Sequence, residues 1–330
     1  MKNRQIPDFF GDKISSREKW EASRDEIKSL FLEKEYGFLP SSLDYQIRKE
    51  DGPLNFAGKA VWERIFFDFT KGEKSHTVQT ELILPKNKEN VPVFVCVDFL
   101  EDCPNKYLPV EEILDNGFGI FKVGYQNVTS DNGDFENGLA SLFGEGDYGK
   151  ISVWSYMART MADYLDTINV LHSYAVIGHS RLGKTSLLTA ALDSRFILAC
   201  VNNSGCSGAP LFRGKDDNAE KISDITRVFP FWFTKGFKDY SNNEESVPFD
   251  QHMLLSLVAP RYVMVGCAKE DYWADNEGAY LSAELARAVW ELYGKGENVS
   301  LYTREGTHFL SRDDWHEYMN KFNEILNNNK

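Results

Sequence analysis

Apolar residues fall along this chain in two rhythms. Short continuous runs occupy 91–99 (Val-Pro-Val-Phe-Val-Cys-Val-Asp-Phe) and 119–123 (Gly-Ile-Phe-Lys-Val). Runs of that length suit strands covered on both faces, as in a parallel sheet. Residues 175–177, 196–201, 259–265 and 299–302 predict further buried strands. Two segments, 61–69 and 78–84, alternate in character around a lysine- and glycine-bearing turn and predict an antiparallel hairpin. The other rhythm is helical. Trp20, Ile27, Leu30 and Phe31 follow Ser15-Ser16-Arg17-Glu18, which reads as a capping box, and Gly37 and Pro40 end that helix. Trp154, Met157, Ala158, Met161, Leu165 and Ile168 mark a second amphipathic helix. A third runs from Ser186 to Leu192, a fourth over 277–293, and Trp315, Met319, Phe322 and Leu326 mark a closing one.

Strand–helix alternation with no internal repeat or low-complexity linker predicts one α/β domain over 1–330. Residues 1–40 form a helical extension, and an aromatic insertion at 205–250 carries Phe229, Pro230, Phe231, Trp232, Phe233 and Phe237. The segment 126–149 is rich in Gly, Asn and Asp, and irregular loops that long inside a domain are often functional.

Composition narrows the field. With 42% hydrophobic and 14% aromatic residues, 330 residues can bury a large core. A formal charge of −13 with no basic cluster argues against nucleic acid or an anionic membrane as partner. The five cysteines (Cys96, Cys103, Cys200, Cys206, Cys267) are scattered and show no C-x-x-C spacing. Buried thiols are therefore expected, with no metal and no cofactor. The first residues lack an apolar signal core and no apolar run spans a bilayer. The chain as it stands is expected to be soluble and cytoplasmic, or exported if a signal was removed.

The densest chemistry lies at Ala175-Val176-Ile177-Gly178-His179-Ser180-Arg181-Leu182-Gly183-Lys184-Thr185, a strand–turn–helix pattern that fits two chemistries. As a nucleophile elbow, it lifts Ser180 onto a sharp turn above the sheet, with Gly178 before it and the second glycine one position late, at Gly183. As a phosphate loop, it satisfies G-x-x-x-x-G-K-[ST] from Gly178 to Thr185. The second reading needs a downstream strand ending in an aspartate for Mg²⁺. The next strand ends in Asn202-Asn203-Ser204 instead. The first reading needs a histidine to take the serine proton and a carboxylate to orient that histidine. Strand ends in order carry Ser180, Asp271 and His308, the chain order of the α/β-hydrolase fold. Glu270 and Asp275 compete with Asp271 for the acid, while His76, His172 and His316 read as surface residues.

These residues resemble a known family. Gly178-His179-Ser180-Arg181-Leu182-Gly183-Lys184 is similar to the G-C-S-R-x-G-K elbow of the glucuronoyl esterases, the 4-O-methyl-glucuronoyl methylesterases of carbohydrate esterase family fifteen. Val247-Pro248-Phe249-Asp250-Gln251-His252, continuing to Ala259-Pro260-Arg261, resembles that family's LPFDHH…LIAPR segment, and Asn203-Ser204-Gly205-Cys206-Ser207-Gly208 its Ser-Gly-x-Gly stretch. The likeness runs from Glu35-Tyr36-Gly37-Phe38-Leu39-Pro40 to Thr307-His308-Phe309. It implies Ser180 as nucleophile, His308 as base, Arg181 at the oxyanion, Lys184 on sugar hydroxyls and Trp273 against the sugar. Fungal members carry their catalytic glutamate where this chain has Asn203, which moves the acid to the next strand and to Asp271. They also place Gln and Glu ahead of a Trp-Phe pair. Ahead of Trp232-Phe233 this chain has Val228-Phe229-Pro230-Phe231, which leaves an acetylated xylan fragment open as substrate.

The expectation is a metal-free serine esterase acting through an acyl-enzyme on a carbohydrate ester of plant cell-wall type. Trp232 and the 126–149 loop shape its cleft. Its rivals are a P-loop nucleotide hydrolase and a carbohydrate-binding relative that lost its acid at Asn203.

Overall fold

The nine strands of a single sheet run in the order β1-β2-β3-β5-β4-β6-β7-β8-β9 in a computed structural model that describes residues 4–39, 42–54 and 56–328. Pro40 of the first helix's expected stop lies outside the described residues. The predicted hairpin is β2 (Ala60–Lys71) and β3 (Lys74–Pro85), in full antiparallel register and closed by Gly72-Glu73. Along β2, Ile65, Phe67 and Phe69 turn inward and are fully buried, which is the alternation the sequence displayed. β1 (Asp44–Asp51) adds to β2 as an outer antiparallel strand that the sequence pattern did not predict.

The six remaining strands are parallel to one another: β4 (Val93–Asp98), β5 (Gly119–Gly124), β6 (Tyr174–His179), β7 (Phe196–Asn202), β8 (Tyr262–Ala268) and β9 (Val299–Arg304). Every residue of β4, β5 and β6 is buried, as continuous apolar runs require. Successive side chains serve opposite cores. Val93, Val95 and Val97 join one apolar cluster with Trp20, Trp154 and Trp290, whereas Phe94 and Cys96 join another with Trp315, Tyr318 and Phe322.

Helices cover both faces. α1 (Arg17–Phe31), α2 (Lys150–Leu165), α3 (Arg181–Leu192) and α4 (Asn276–Glu291) contribute to the first cluster, and α5 (Arg312–Asn328) to the second. The cap of α1 falls one residue later than the capping-box reading. Ser16 Oγ accepts from Lys19 N at 3.3 Å, while Ser15 Oγ donates to the Asp12 carbonyl at 2.9 Å. Gly37 ends the helical run at φ 89°, where a Cβ would come within 2.2 Å of the Tyr148 backbone. The five cysteines are free, four of them buried. No described helix is long and apolar enough to cross a membrane. The parallel order brings the carboxyl ends of β6, β8 and β9 to one edge, where open α/β sheets collect their chemistry.

Candidate active site

At the end of β6 the chain turns through Ser180, with φ 57° and ψ −125°, into α3. A non-glycine residue held there stores roughly 1–3 kcal/mol, which the surrounding fold must overcome. Three contacts hold it. Ser180 N donates to the Asn202 carbonyl at the end of β7 (2.9 Å), and the Ser180 carbonyl accepts from Gly183 N (2.8 Å) and Lys184 N (3.2 Å). A Cβ on Gly178 would sit 2.0 Å from the Leu182 carbonyl, and one on Gly183 would sit 2.8 Å from that of Asn202. The late second glycine thus has its own reason: it lets the first turn of α3 cross the tip of β7.

The same geometry disfavours the phosphate loop. A P-loop offers free N–H groups to the anion and aims its lysine at it. Here the Gly183 and Lys184 amides are bonded back to Ser180, and Lys184 is buried with Nζ on the Ser204 carbonyl at 2.5 Å. Thr185 Oγ1 donates to the Arg181 carbonyl at 3.1 Å.

Asp271 and His308 meet. His308 Nδ1 lies 2.6 Å from Asp271 Oδ2, which also accepts from Asn203 Nδ2 at 2.8 Å. Asp271 is 5% exposed, while His308 opens to solvent. With Nδ1–H on the carboxylate, Nε2 is left as the basic nitrogen. The His308 ring packs on that of His179, the neighbour of Ser180, at 4.5 Å between centroids. Burial and the nearby His308 push His179 down to about 3, so it stays neutral, with Nδ1 2.7 Å from Asn202 Oδ1. A clasp behind His308 fixes its turn. The Arg304 guanidinium donates to the Thr307 (3.3 Å) and Phe309 carbonyls on either side of it, and Arg304 Nε to buried Asp314 at 2.8 Å.

The two rival acids are occupied differently. Glu270 is exposed. Asp275 caps α4 and binds Arg4 Nη2 at 2.6 Å and Lys215 Nζ at 3.2 Å. Burial raises its carboxyl, but Arg4 and Lys215 outweigh that and bring it down to about 2.

Around this centre, Arg181 reaches back to the 126–149 loop, where its Nη1 pairs with Asp131. Its guanidinium carbon lies 4.6 Å from the Trp232 ring centroid and 4.8 Å from that of Phe229. Trp232 does not offer a ring face to a sugar, contrary to the expectation from sequence. It is 2% exposed, stacked on Phe229 at 3.9 Å, and donates Nε1–H to Asp131 at 2.7 Å. Trp273 is 48% exposed, as a sugar platform requires. Its carbonyl accepts from Glu220 N at 2.9 Å, and Glu220 Oε2 lies 3.8 Å from Lys184 Nζ. Glu220 is the residue the sequence reading missed: it brings a carboxylate to Lys184 from elsewhere in the insertion than the stretch directly ahead of Trp232. Between loop and insertion lies a cavity of about 890 Å³ with Phe135, Tyr148, Phe231 and Phe233 in its wall. The family-like segment at 247–261 is structural. Asp250 caps a short helix and holds Arg213 Nη1 at 3.1 Å, and Arg261 Nη1 donates to the Phe196 carbonyl at 2.7 Å.

Comparison with known proteins agrees with this architecture. A family model described as glucuronyl esterase, fungi, matches residues 67–294. Carbohydrate esterase MZ0003, from an unknown prokaryotic organism, is 28% identical over 94% of this chain and 86% of its own. The 4-O-methyl-glucuronoyl methylesterase of Schizophyllum commune is 27% identical over 90% and 75%. The solved glucuronoyl esterase of Solibacter usitatus superposes with a TM-score of 0.83 at 28% identity, covering 93% of both chains. A promiscuous family 15 esterase from a marine bacterial metagenome gives 0.84 at 28% identity, covering 96% of both. An elbow, a mostly parallel sheet of hydrolase topology and a family match across most of its length make this chain a member of the glucuronoyl esterases, α/β-hydrolase-fold enzymes that hydrolyse carboxylic esters of carbohydrates.

Proposed function

We propose that the enzyme cleaves a glucuronoyl ester of a plant cell-wall glycan, with Ser180 as nucleophile, His308 as general base and acid, and Asp271 as the orienting carboxylate. The observation that carries this reading is the 2.6 Å Asp271–His308 bond beside the strained elbow. Asp271, in the turn after β8, is placed beside His308 to act as the carboxylate that Asn203 lacks, which supports a catalytic enzyme over a non-catalytic relative.

His308 Nε2 takes the Ser180 Oγ proton as Oγ bonds to the ester carbonyl carbon. The carbonyl oxygen becomes the oxyanion, facing the Arg181 guanidinium and the backbone N–H groups of Arg181 and Leu182 that open α3. One such donor is worth about 3 kcal/mol of transition-state stabilisation. The tetrahedral adduct collapses, the alcohol leaves with the proton from His308, and the acyl group stays on Ser180. A water that gives its proton to His308 then releases the acid and restores the serine. Glu220 accepts from the sugar hydroxyls, and Trp273 covers a pyranose face. Lys184, given sugar hydroxyls by the family resemblance, is buried behind Glu220 with Nζ on the Ser204 carbonyl and supports that carboxylate instead. A polymeric glycan substrate favours action outside the cytoplasm.

The test is a panel of methyl and benzyl glucuronate, acetylated xylan and aryl acetates, run on the enzyme and its Ser180→Ala variant. Uronate ester turnover that disappears with Ser180 is the expected result. Cleavage of acetates alone would refute the uronoyl assignment, and activity surviving in Ser180→Ala would refute the nucleophile.

A further inference from the structure

We propose that Asp131, on the 126–149 loop, is a positioning residue that fixes the aim of Arg181 before substrate arrives. This inference rests on reading Arg181 as the oxyanion donor. An arginine side chain is long and free to rotate, and a donor stabilises a developing charge best when it is already ordered. Among the described residues, Asp131 is the only hydrogen-bond acceptor that Arg181 meets. The same carboxylate gathers two more donors, Trp232 Nε1–H on Oδ1 at 2.7 Å and Tyr125 O–H on Oδ2 at 3.1 Å. One small group therefore joins the residue following β5, the aromatic insertion and the first residue of α3.

The neighbours complete the clamp. The Arg181 guanidinium lies beside the stacked Phe229–Trp232 pair and 5.8 Å from the Phe99 ring. The loop itself is fastened from below, where buried Lys150 Nζ donates to Thr129 Oγ1 at 2.8 Å and to the Asp134 carbonyl. Bonding to Asp131 engages a single nitrogen, so donors of the planar fork remain for the ester oxygen. This account also explains a tryptophan that is too buried to touch a sugar: its ring and its N–H both serve Arg181.

A contrary effect is built into the pair. Asp131 also tempers the positive charge of Arg181, so removing the carboxylate would speed the reaction if charge mattered more than aim. Asp131→Asn keeps the shape, removes the charge and weakens the bond, and separates the two. Positioning predicts a fall in kcat of about ten-fold or more with KM within about three-fold, because the oxyanion exists only in the transition state. In an Arg181→Ala background the same substitution should cost under about two-fold. An unchanged or raised kcat, or an equal loss in both backgrounds, overturns the proposal. A full-rate Arg181→Ala enzyme would overturn the oxyanion reading and this inference with it. A slow Arg181→Ala with a full-rate Asp131→Asn overturns the positioning role alone. If Asp131→Asn fails to fold, Tyr125→Phe carries the test by deleting one donor to the carboxylate. It should cost about three-fold in kcat in the native background and nothing measurable with Arg181→Ala, and a full native rate overturns the proposal.

Discussion

Glu35 is fully buried at the end of the first helical run, and the side-chain amide of Gln251 donates to both oxygens of its carboxyl, at 3.0 and 3.1 Å. Burial pushes the group up to about 8 from an unfolded value of 4.5, and the hydrogen bonds it receives reverse only part of the rise. The negative charge of Asp250 adds to the shift. Below pH 4.5 both states are protonated. From there to about pH 8 the unfolded chain has lost the proton while the folded chain holds it, so stability falls as pH rises. Each unit costs about 1.4 kcal/mol, or about 5 kcal/mol across the window. Glu35→Gln removes the titration. Gln251 Oε1 has no partner in the folded state, so a reversed Gln251 amide can accept from the new side chain. Urea unfolding of both proteins at pH 5, 6, 7 and 8 should give nearly equal stabilities at pH 5. By pH 8 the variant should be ahead by about 4 kcal/mol, since other titrating groups cancel in the difference. Stability curves that stay parallel over that range would refute a buried proton on Glu35. The consequence reaches the active-site side, because the Glu35 carbonyl also accepts from Thr234 N of the insertion at 2.8 Å.

Three further outcomes follow from the geometry. Asp271→Asn should lower kcat by about 10³–10⁴-fold with little change in KM, because an amide no longer fixes the His308 tautomer or balances its charge; a loss below ten-fold would return the acid's role to another group. Trp273→Ala should raise KM about ten-fold for uronate esters while leaving the hydrolysis of small aryl acetates nearly unchanged, as steady-state kinetics on both substrates would report. Asp275, held at about 2 by Arg4 and Lys215, contributes about 2 kcal/mol of stability that is present above pH 3.8 and lost as pH falls through 2. Asp275→Asn should therefore lower stability at pH 7 and flatten its acid dependence, which acid-titrated unfolding followed by circular dichroism would reveal.

The sequence was most legible where burial is two-sided. The runs at β4, β5, β6 and β7 could only be interior strands, and the glycines flanking Ser180 marked a turn with no room for side chains. Chain order then led to Ser180, Asp271 and His308. It could not separate Asp271 from Glu270 and Asp275, because the three differ in what the fold puts around them: His308 beside Asp271, Arg4 and Lys215 beside Asp275, and solvent around Glu270. Trp232 misled for a related reason. An aromatic residue near a cleft reads alike whether its face is open or covered, and Phe229 covers this one. Glu220 carried no signal, since its link to Lys184 exists only after the insertion folds back over α3.

β1 was the least legible element, and the cause of that has a use. Asp-Tyr-Gln-Ile-Arg-Lys-Glu-Asp shows no apolar stripe because most of its side chains face solvent. Its free margin is one border of the sheet, where unbonded amides and carbonyls invite another molecule's strand. Charges crowded along that margin make such stacking repulsive or desolvating. The hydrophilic strand thus works as a guard against fibrous self-association, and variants that neutralise Arg48, Lys49, Glu50 and Asp51 together would expose a sticky border without disturbing catalysis.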